Sequence, residues 1–344
     1  MAVAQLRIRG RGMTRNCATQ ANTYIDFFAG CGGLSLGLGM AGWQGVFAIE
    51  KDPMAYASFE KNLIDKDAPH HHFDRWPAWL PKSPHTIEDV LDDDDIVQHL
   101  KDLSGKVTLV AGGPPCQGFS VAGSRNGNDP RNLLVFKQIK AIAYLKPRFA
   151  IVENVGGFER KFVTKPIDGI AMSVADEAIK EIEQLGYNVG KVKINAADYG
   201  VPQTRERVLL FAISKEFGGS LATGDLLRDV MLEIGMQQRK ELGLATERFV
   251  NIEEALSDLA GEQRVPDPEF SGYETCKYLP AKSAYQKMMR EGIGSDSLPT
   301  CHRFNRHSQK LIDLYNLAHK TQPAGRLSRP RSATPDPLKY KENR

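Results

Sequence analysis

The sequence predicts an α/β protein with a doubly wound, mostly parallel sheet. Short runs rich in Val, Ile and Leu alternate along the chain with longer segments of helical periodicity, as in parallel strands joined by crossover helices. Glycine-rich or polar residues follow several of these runs, and ligands bind at such strand ends in this class of fold. We therefore expect alternating strands and helices over residues 22–214, with a ligand site at the carboxyl ends of the strands.

The individual elements follow from composition and periodicity. Strands are predicted at 23–30, 45–52, 106–113, 148–155 and 207–214. Helices are predicted at 34–42, 53–63, 132–145 and 172–186. Beyond residue 215 the alternation is lost: a linker-like stretch precedes an amphipathic helix at 226–244, and residues 260–300 have the composition of loops.

Composition excludes several classes of protein. The 344 residues are 41% hydrophobic and 25% charged, which is typical of a soluble globular protein. No apolar run approaches the roughly 18 residues of a membrane-spanning helix, and the arginine-bearing N-terminus lacks the apolar segment of a secretory signal. The five cysteines are odd in number and widely scattered, which argues against a disulfide framework. A cytoplasmic protein without a membrane partner is expected.

Charge is unevenly distributed along the chain. The first twenty residues carry four arginines and no acid, and residues 301–344 carry ten Lys/Arg against three Asp/Glu. Basic segments at both ends of an acidic body favour a polyanionic partner such as nucleic acid. Solvated tails are the alternative.

The stretch "FAGCGG" follows the first predicted strand, the usual position of a nucleotide-binding turn. Glu50 ends the second predicted strand, where a carboxylate can bind the two hydroxyls of a ribose. A dinucleotide fingerprint starting at Gly30 would need a third glycine where this chain has Ser35, so S-adenosylmethionine fits the pattern better than a nicotinamide cofactor. The segment "IEDV" is interpreted as a third strand end that offers Asp89 to an adenine amino group. The alternative is that these glycines only pack a helix against the sheet.

The loop "GGPPCQGFS" holds Cys116 behind two prolines, which fix φ and stiffen the chain. Glu153 ends the next predicted strand, and Arg205 and Arg207 occupy alternate positions leading into another. We expect the thiol, the carboxyl and the guanidiniums to converge beside the nucleotide pocket. Taken singly, the cysteine could be structural, the acid could begin a helix and the arginines could form surface ion pairs.

Methylation of cytosine at C5 requires such a set of groups. A thiolate that adds to C6 makes C5 nucleophilic, while a carboxylic acid at N3 and an arginine at O2 stabilise the developing charge. A base must then remove the C5 proton before the thiolate leaves. The cytosine must be flipped out of a duplex for this chemistry to take place.

Five blocks in order carry a resemblance to a known family: "IDFFAGCGGLSLGL", "AIEKDPMA", "GGPPCQGFS", "ENV" and "NAADYGVPQTRERV". Over residues 22–214 the chain closely resembles the cytosine-5 DNA methyltransferases. The resemblance implies a DNA-binding transferase that uses S-adenosyl-L-methionine to methylate duplex DNA, of the compact type found in restriction-modification systems. A tRNA-directed cytosine-5 methyltransferase of the same family would share every block.

The resemblance also implies roles for individual residues. The cofactor-binding residues would be Phe28, Ala29, Gly30, Gly32, Gly33, Leu34, Glu50, Asp89, Val90, Pro115 and Leu133. Cys116 would be the nucleophile and Glu153 the acid at N3, while Arg207, with Arg205 beside it, would hold the cytosine. Asn154 and Gln203 would support the site.

The chain departs from the family after residue 214. Two further blocks, of the types R-E-x-x-R-L-Q and G-N-x-V, are not found. Residues 215–344 are therefore expected to form a linker helix and a partial target-recognition region with a basic tail, and residues 1–21 a basic arm. The expectation is a truncated enzyme or one half of a two-polypeptide enzyme. No metal is expected, because neither "HHH" at 70–72 nor "CHRFNRH" at 301–307 has the spacing of a common metal site.

Overall fold

The computed structural model describes residues 22–68, 70–115, 133–159, 173–217, 224–261, 263–294, 296–300, 302–304 and 307–313. Cys116, the predicted basic arm at 1–21 and residues 314–344 of the predicted basic tail lie outside the described residues. The chain divides into two compact units, one ending at Val250 and the other beginning at Asn251. Among the described residues, every helix is too short or too polar to cross a lipid bilayer.

A six-stranded sheet forms the centre of the first unit. Its strands are β1 (Thr23–Phe27), β2 (Gln44–Ile49), β3 (Leu109–Gly112), β4 (Phe149–Asn154), β5 (Tyr187–Asn195) and β6 (Glu206–Ser214). They lie in the order β2-β1-β3-β4-β6-β5, and only β6 runs antiparallel to its neighbours. This confirms the predicted mostly parallel α/β sheet, although β5 was not predicted.

Seven α-helices accompany the sheet in the described part of the first unit. They are α1 (Gly33–Met40), α2 (Pro53–Phe59), α3 (Ile87–Leu91), α4 (Asp94–Asp102), α5 (Leu134–Leu145), α6 (Val174–Gln184) and α7 (Gly224–Glu241). Asp52 caps α2 by accepting from the amides of Met54 and Ala55, with Pro53 at the first helical position. The helix then continues as a π-helical turn at Glu60–Ile64.

The apolar side chains of β1 divide the core between the two faces of the sheet. Ile25 and Phe27 are fully buried on one face, in the cluster that includes α5 and α6. Tyr24 is buried on the other face against Phe59 and Phe73. Alternate burial along one strand is the expected result of covering both faces of a sheet.

The interpretation of "IEDV" as a strand end was wrong. The segment is helical and belongs to α3, where Asp89 forms a capping box with Thr86. In the "HHH" segment, His72 is buried and its Nε2 lies 2.7 Å from the Tyr24 hydroxyl. Asp93 caps α4 by accepting from the Ile96 amide.

The first unit extends past residue 214, where the sequence placed its domain boundary, and includes α7. That helix packs against β5 and the turn that follows it. The second unit contains α8 (Ile252–Leu256), α9 (Ala284–Met289) and a hairpin of β7 (Arg264–Pro266) and β8 (Glu274–Cys276). That residues 215–344 serve target recognition remains a prediction.

Candidate active site

The turn after β1 has a left-handed backbone at three positions. The φ angles are 61° at Phe28, 57° at Gly30 and 93° at Gly32. A Cβ atom on Gly32 would lie 2.5 Å from Leu63 Cδ1 and 2.9 Å from Phe59 Cδ2, so only glycine fits there. The turn therefore packs tightly on the helix that follows β2.

Glu50 joins this turn to the end of β2. Its Oε2 accepts from the Gly30 amide at 2.8 Å, and its Oε1 accepts from the Asp52 amide, also at 2.8 Å. Each carboxylate oxygen keeps a further lone pair, because an ionised carboxylate has about four acceptor sites. The carboxylate is thus fixed in orientation and remains able to accept from a pair of ligand hydroxyls.

A cavity of about 400 Å³ opens beside this turn. Three of the predicted cofactor residues, Phe28, Glu50 and Pro115, line it. The other described residues in its wall are Ile49, Lys51, His85, Thr86, Ile87, Glu88, Gly113 and Leu134. The cavity is mostly apolar with a few polar groups, as small-molecule sites usually are.

The predicted adenine contacts, Asp89 and Val90, are not among the described residues that line this cavity. Asp89 Oδ2 accepts from the Thr86 amide at 2.7 Å, and the hydrogen bonds from Thr86 hold the Asp89 pKa below its usual value. Val90 is fully buried in the core. The cavity wall at this point is the segment from His85 to Glu88, immediately before and at the start of α3. The sequence pattern that could have identified this segment is the Thr-x-x-Asp capping box, which marks the start of a helix.

The other predicted cofactor residues differ in their exposure. Ala29 and Gly32 are buried within the turn, whereas Gly33 is exposed and Leu34 partly exposed at the start of α1. Leu133 is 58% exposed, and its neighbour Leu134 lines the cavity instead.

A buried polar pair lies beneath the turn. Ser35 Oγ donates to Asp26 Oδ2 at 2.6 Å, and both residues are almost completely buried. Asp26 Oδ1 is buried and finds no partner among the described residues. Burial raises the Asp26 pKa to about 7, against the lowering effect of the Ser35 hydrogen bond. Ser35 occupies the position at which a dinucleotide fingerprint has its third glycine.

Glu153 and Arg207 meet at the carboxyl end of β4. Arg207 Nε lies 2.5 Å from Glu153 Oε1. The β4–β6 register pairs Glu153 with Leu209, so Arg207 is a diagonal neighbour on the same face. The acid and one of the guanidiniums that were expected to converge are therefore neighbours in the structure.

Gly113, at the start of the cysteine loop, lies against the same carboxylate. A Cβ atom built on Gly113 would be 2.8 Å from Glu153 Oε2. The Asn154 side-chain amide donates to the Pro114 carbonyl at 3.3 Å. The residues just before Cys116 are thus held against the end of β4, while Cys116 itself is outside the described residues.

Arg205 and Gln203 are less closely engaged. Both residues are exposed in the loop between β5 and β6. The Arg205 backbone is hydrogen bonded at both polar atoms: its amide donates to Asn195 Oδ1 at 3.0 Å and its carbonyl accepts from Ala196 at 3.0 Å. Arg205 is therefore held in place by its backbone.

No group of three metal-ligating side chains occurs in the part of the chain that the structure describes. Cys276 Sγ lies 3.9 Å from His302 Nδ1. It also donates to the Leu259 carbonyl at 3.2 Å, so its thiol already has a hydrogen-bond partner.

Comparison with solved structures supports the fold. A crystal structure described as a DNA modification methyltransferase encoded within an E. coli prophage superposes with a TM-score of 0.50 at 23% identity. The match covers 76% of this chain and 62% of the other.

The chain is also similar in sequence to curated Type II methyltransferases. The Type II methyltransferase M.DdeI of Desulfomicrobium norvegicum is 31% identical over 296 residues, which are 85% of this chain and 59% of the relative. M1.HphI of Haemophilus parahaemolyticus is 34% identical over 204 residues, 58% of this chain and 47% of the relative. The chain spans about half the length of the curated relatives it matches.

A second polypeptide, one of the two alternatives that the sequence left open, finds no support in these relatives. A sequence profile for the C-5 cytosine-specific DNA methylase family matches residues 22–333, which include the cofactor turn, the cysteine loop, Glu153 and Arg207. The chain belongs to the C-5 cytosine-specific DNA methylase family.

Proposed function

We propose that this protein is a DNA cytosine-5 methyltransferase of a restriction-modification system. The observation that carries the proposal is the position of Gly113. This residue lines the cavity beside Glu50 and also lies against the Glu153 carboxylate, which pairs with Arg207. A cavity suited to the methyl donor and an acid–guanidinium pair suited to cytosine thus share the residues that lead into Cys116.

The cavity fits S-adenosylmethionine. Glu50 is held by two backbone amides with acceptor capacity left for ribose hydroxyls, and Phe28 supplies an apolar wall. Pro115 and the segment from His85 to Glu88 form the rest of the site in this proposal, in place of Asp89 and Val90. When bound, S-adenosylmethionine supplies an electrophilic methyl group for C5 of the cytosine.

The protein's own groups make C5 reactive. The Cys116 thiolate adds to C6, and the C5–C6 double-bond electrons become available at C5. Glu153 donates a proton at N3, and Arg207, with Arg205 beside it, binds the O2 oxygen, so charge does not accumulate on the ring. After C5 has been methylated, a base removes the C5 proton and the thiolate leaves C6, which restores the C5–C6 double bond. The N3 proton returns to Glu153, so the acid is regenerated.

The substrate is a cytosine flipped out of duplex DNA. A base inside the stack cannot present C6 to a thiol and C5 to a methyl donor at once. The Type II methyltransferases among the relatives support DNA as the substrate and a restriction-modification system as the setting. Basic segments at both ends of the chain supply charge for the phosphate backbone.

Replacement of the nucleophile tests the mechanism. Cys116→Ser is expected to abolish methyl transfer from labelled S-adenosylmethionine to duplex DNA and to abolish the covalent adduct with 5-fluorocytosine duplex. Cys17→Ser, which removes a thiol outside the family match, is the matched control and should keep both. Full activity of the Cys116→Ser variant would contradict the mechanism.

A parallel assay tests the substrate class. Methyl transfer is measured on duplex DNA and on tRNA with the same preparation. Transfer to DNA supports the proposal, whereas transfer to tRNA alone would assign the protein to the tRNA-directed branch of the family. Activity on DNA without an added second polypeptide would also rule out the need for a partner chain.

A further inference from the structure

One asparagine closes the loop between β5 and β6. Asn195 Oδ1 accepts from the Ala197 amide at 3.1 Å and from the Arg205 amide at 3.0 Å. Its side chain thereby caps the 3₁₀ turn Ala196–Tyr199 at one end of the loop and holds the other end at Arg205. A single oxygen atom thus fixes both ends of the segment that leads to the two arginines.

The loop is also closed along its backbone. The Ala196 amide donates to the Arg205 carbonyl at 3.0 Å, and Asn195 is paired with Glu206 in the β5–β6 ladder. The register in turn pairs Ile194 with Arg207. Since side chains alternate between the faces of a strand, a slip by one residue would turn Arg207 away from the face that carries Glu153.

Helix α7 supports this loop from its other side. A Cβ atom on Gly235 would lie 2.8 Å from Tyr199 Cδ1, and one on Gly200 would lie 2.7 Å from Leu244 Cδ1. Gly200 also has a φ of 88°, which favours glycine. The middle of the loop is therefore packed closely, and Asn195 secures its ends.

We propose that Asn195 is a positioning residue that holds Arg205 and Arg207 in register with Glu153. This inference rests on the proposed function for its effect on catalysis. Among the described residues, the Asn195 side chain acts only as an acceptor, so an aspartate of the same shape keeps the interaction and an alanine removes it. This difference separates the positioning role from a general loss of packing.

The first arm of the test measures hydrogen exchange in the full chain. The Arg205 and Ala197 amides should be protected in the wild type and in Asn195→Asp, and should exchange rapidly in Asn195→Ala. Fast exchange of the Arg205 amide in the wild type, or unchanged protection in Asn195→Ala, would overturn the proposal. This arm needs no enzymatic activity, so it is independent of the proposed function.

The second arm measures methyl transfer to duplex DNA. Asn195→Ala should lower kcat by roughly 10- to 100-fold, because a displacement of about 1 Å in a positioning group can have an effect of that size. The Kd of S-adenosylmethionine should stay within about twofold, since Asn195 does not line the cavity, and Asn195→Asp should restore kcat. Equal loss in both variants would overturn the proposal.

Asp93→Ala is the matched control, because Asp93 also caps a helix by accepting from a backbone amide but lies at α4. It should lower thermal stability as Asn195→Ala does, and leave kcat unchanged. A wild type that protects the Arg205 amide but transfers no methyl group would refute the proposed function and leave the structural role of Asn195 intact.

Discussion

The two sides of the candidate site are held together differently. On the side proposed to bind the cofactor, which we call the cofactor side, the Glu50 carboxylate is fixed by backbone amides from its own strand end and the neighbouring turn. On the side proposed to bind cytosine, which we call the cytosine side, the Glu153 carboxylate is fixed by the Arg207 side chain and lies against Gly113, and these residues come from different segments of the chain. Backbone bonds hold the first carboxylate, whereas the second depends on strand register.

The difference implies that the two sides can be disturbed separately. Glu50 lines the cavity and Glu153 does not, although Gly113 touches both environments. A change at Glu50 should therefore act on binding of the methyl donor, and a change at Glu153 on the rate of the chemical step. Kinetic measurements that separate kcat from the Kd of S-adenosylmethionine can test whether this division holds.

The largest effect is expected from Glu153→Gln. The amide cannot donate an acidic proton at N3, so kcat should fall by about 10²- to 10⁴-fold. The Kd of S-adenosylmethionine should not change. Single-turnover methyl transfer together with calorimetric titration of the cofactor measures both quantities.

Glu159→Gln is the control for that variant. Glu159 follows β4 as well, but its carboxylate pairs with Lys191 and Lys193. Its replacement should affect stability alone. A large rise in the Kd of S-adenosylmethionine for Glu153→Gln would show that the two sides are coupled.

A smaller effect, confined to the cofactor side, is expected from Glu50→Gln. Hydrogen bonds to charged groups contribute about 1.5–3 kcal/mol, so the Kd of S-adenosylmethionine should rise by about 10- to 100-fold. The rate at saturating cofactor should change much less. Glu183→Gln, on the exposed face of α6, is the control. An equal loss of kcat and of affinity for S-adenosylmethionine in Glu50→Gln would show that the two sides of the site do not act independently.

The sequence predicted the parts of the site that depend on local patterns. The turn after β1 and the position of Glu50 follow from strand ends and glycines, and the structure has both. The sequence also led us to expect Glu153 and Arg207 to converge. In the structure they are neighbours because β6 runs antiparallel to β4, which brings the start of β6 beside the end of β4. The interpretation of "IEDV" as a strand end failed because a run of two apolar and two acidic residues does not distinguish a strand from a short capped helix.

Contacts between distant segments were not predictable in the same way. Strand β5 has the sequence "YNVGKVKIN", whose glycine and lysines weaken the signal of a strand at the sheet edge. Nothing in the sequence near Asn195 indicates that it accepts from Arg205 across a loop. The burial of His72 likewise depends on Gly39, since a Cβ atom at that position would lie 2.7 Å from the His72 ring.

The smallest predicted effect is a change in the free energy of unfolding. It tests whether the buried Asp26–Ser35 pair beneath the turn carries a proton. Burial raises the Asp26 pKa from 3.8 to about 7, so the folded state binds the proton more tightly than the unfolded state. The stabilising contribution of that proton is complete below the unfolded pKa and is lost as pH rises through about 7. The free energy of unfolding should therefore fall by about 1 kcal/mol between pH 6 and pH 8 on account of Asp26.

Asp26→Asn should remove this slope, which urea unfolding at the two pH values measures. The effect of His72 on the free energy of unfolding has the opposite dependence on pH. Burial lowers the His72 pKa, so the stability that its neutral form contributes is present above about pH 6.5 and is lost as the solution becomes more acidic. Ser35→Ala sharpens the test, because loss of the hydrogen bond that lowers the Asp26 pKa should move the transition to higher pH. If the slope persists in Asp26→Asn, another group titrates, and the pair beneath the turn does not hold a proton at neutral pH.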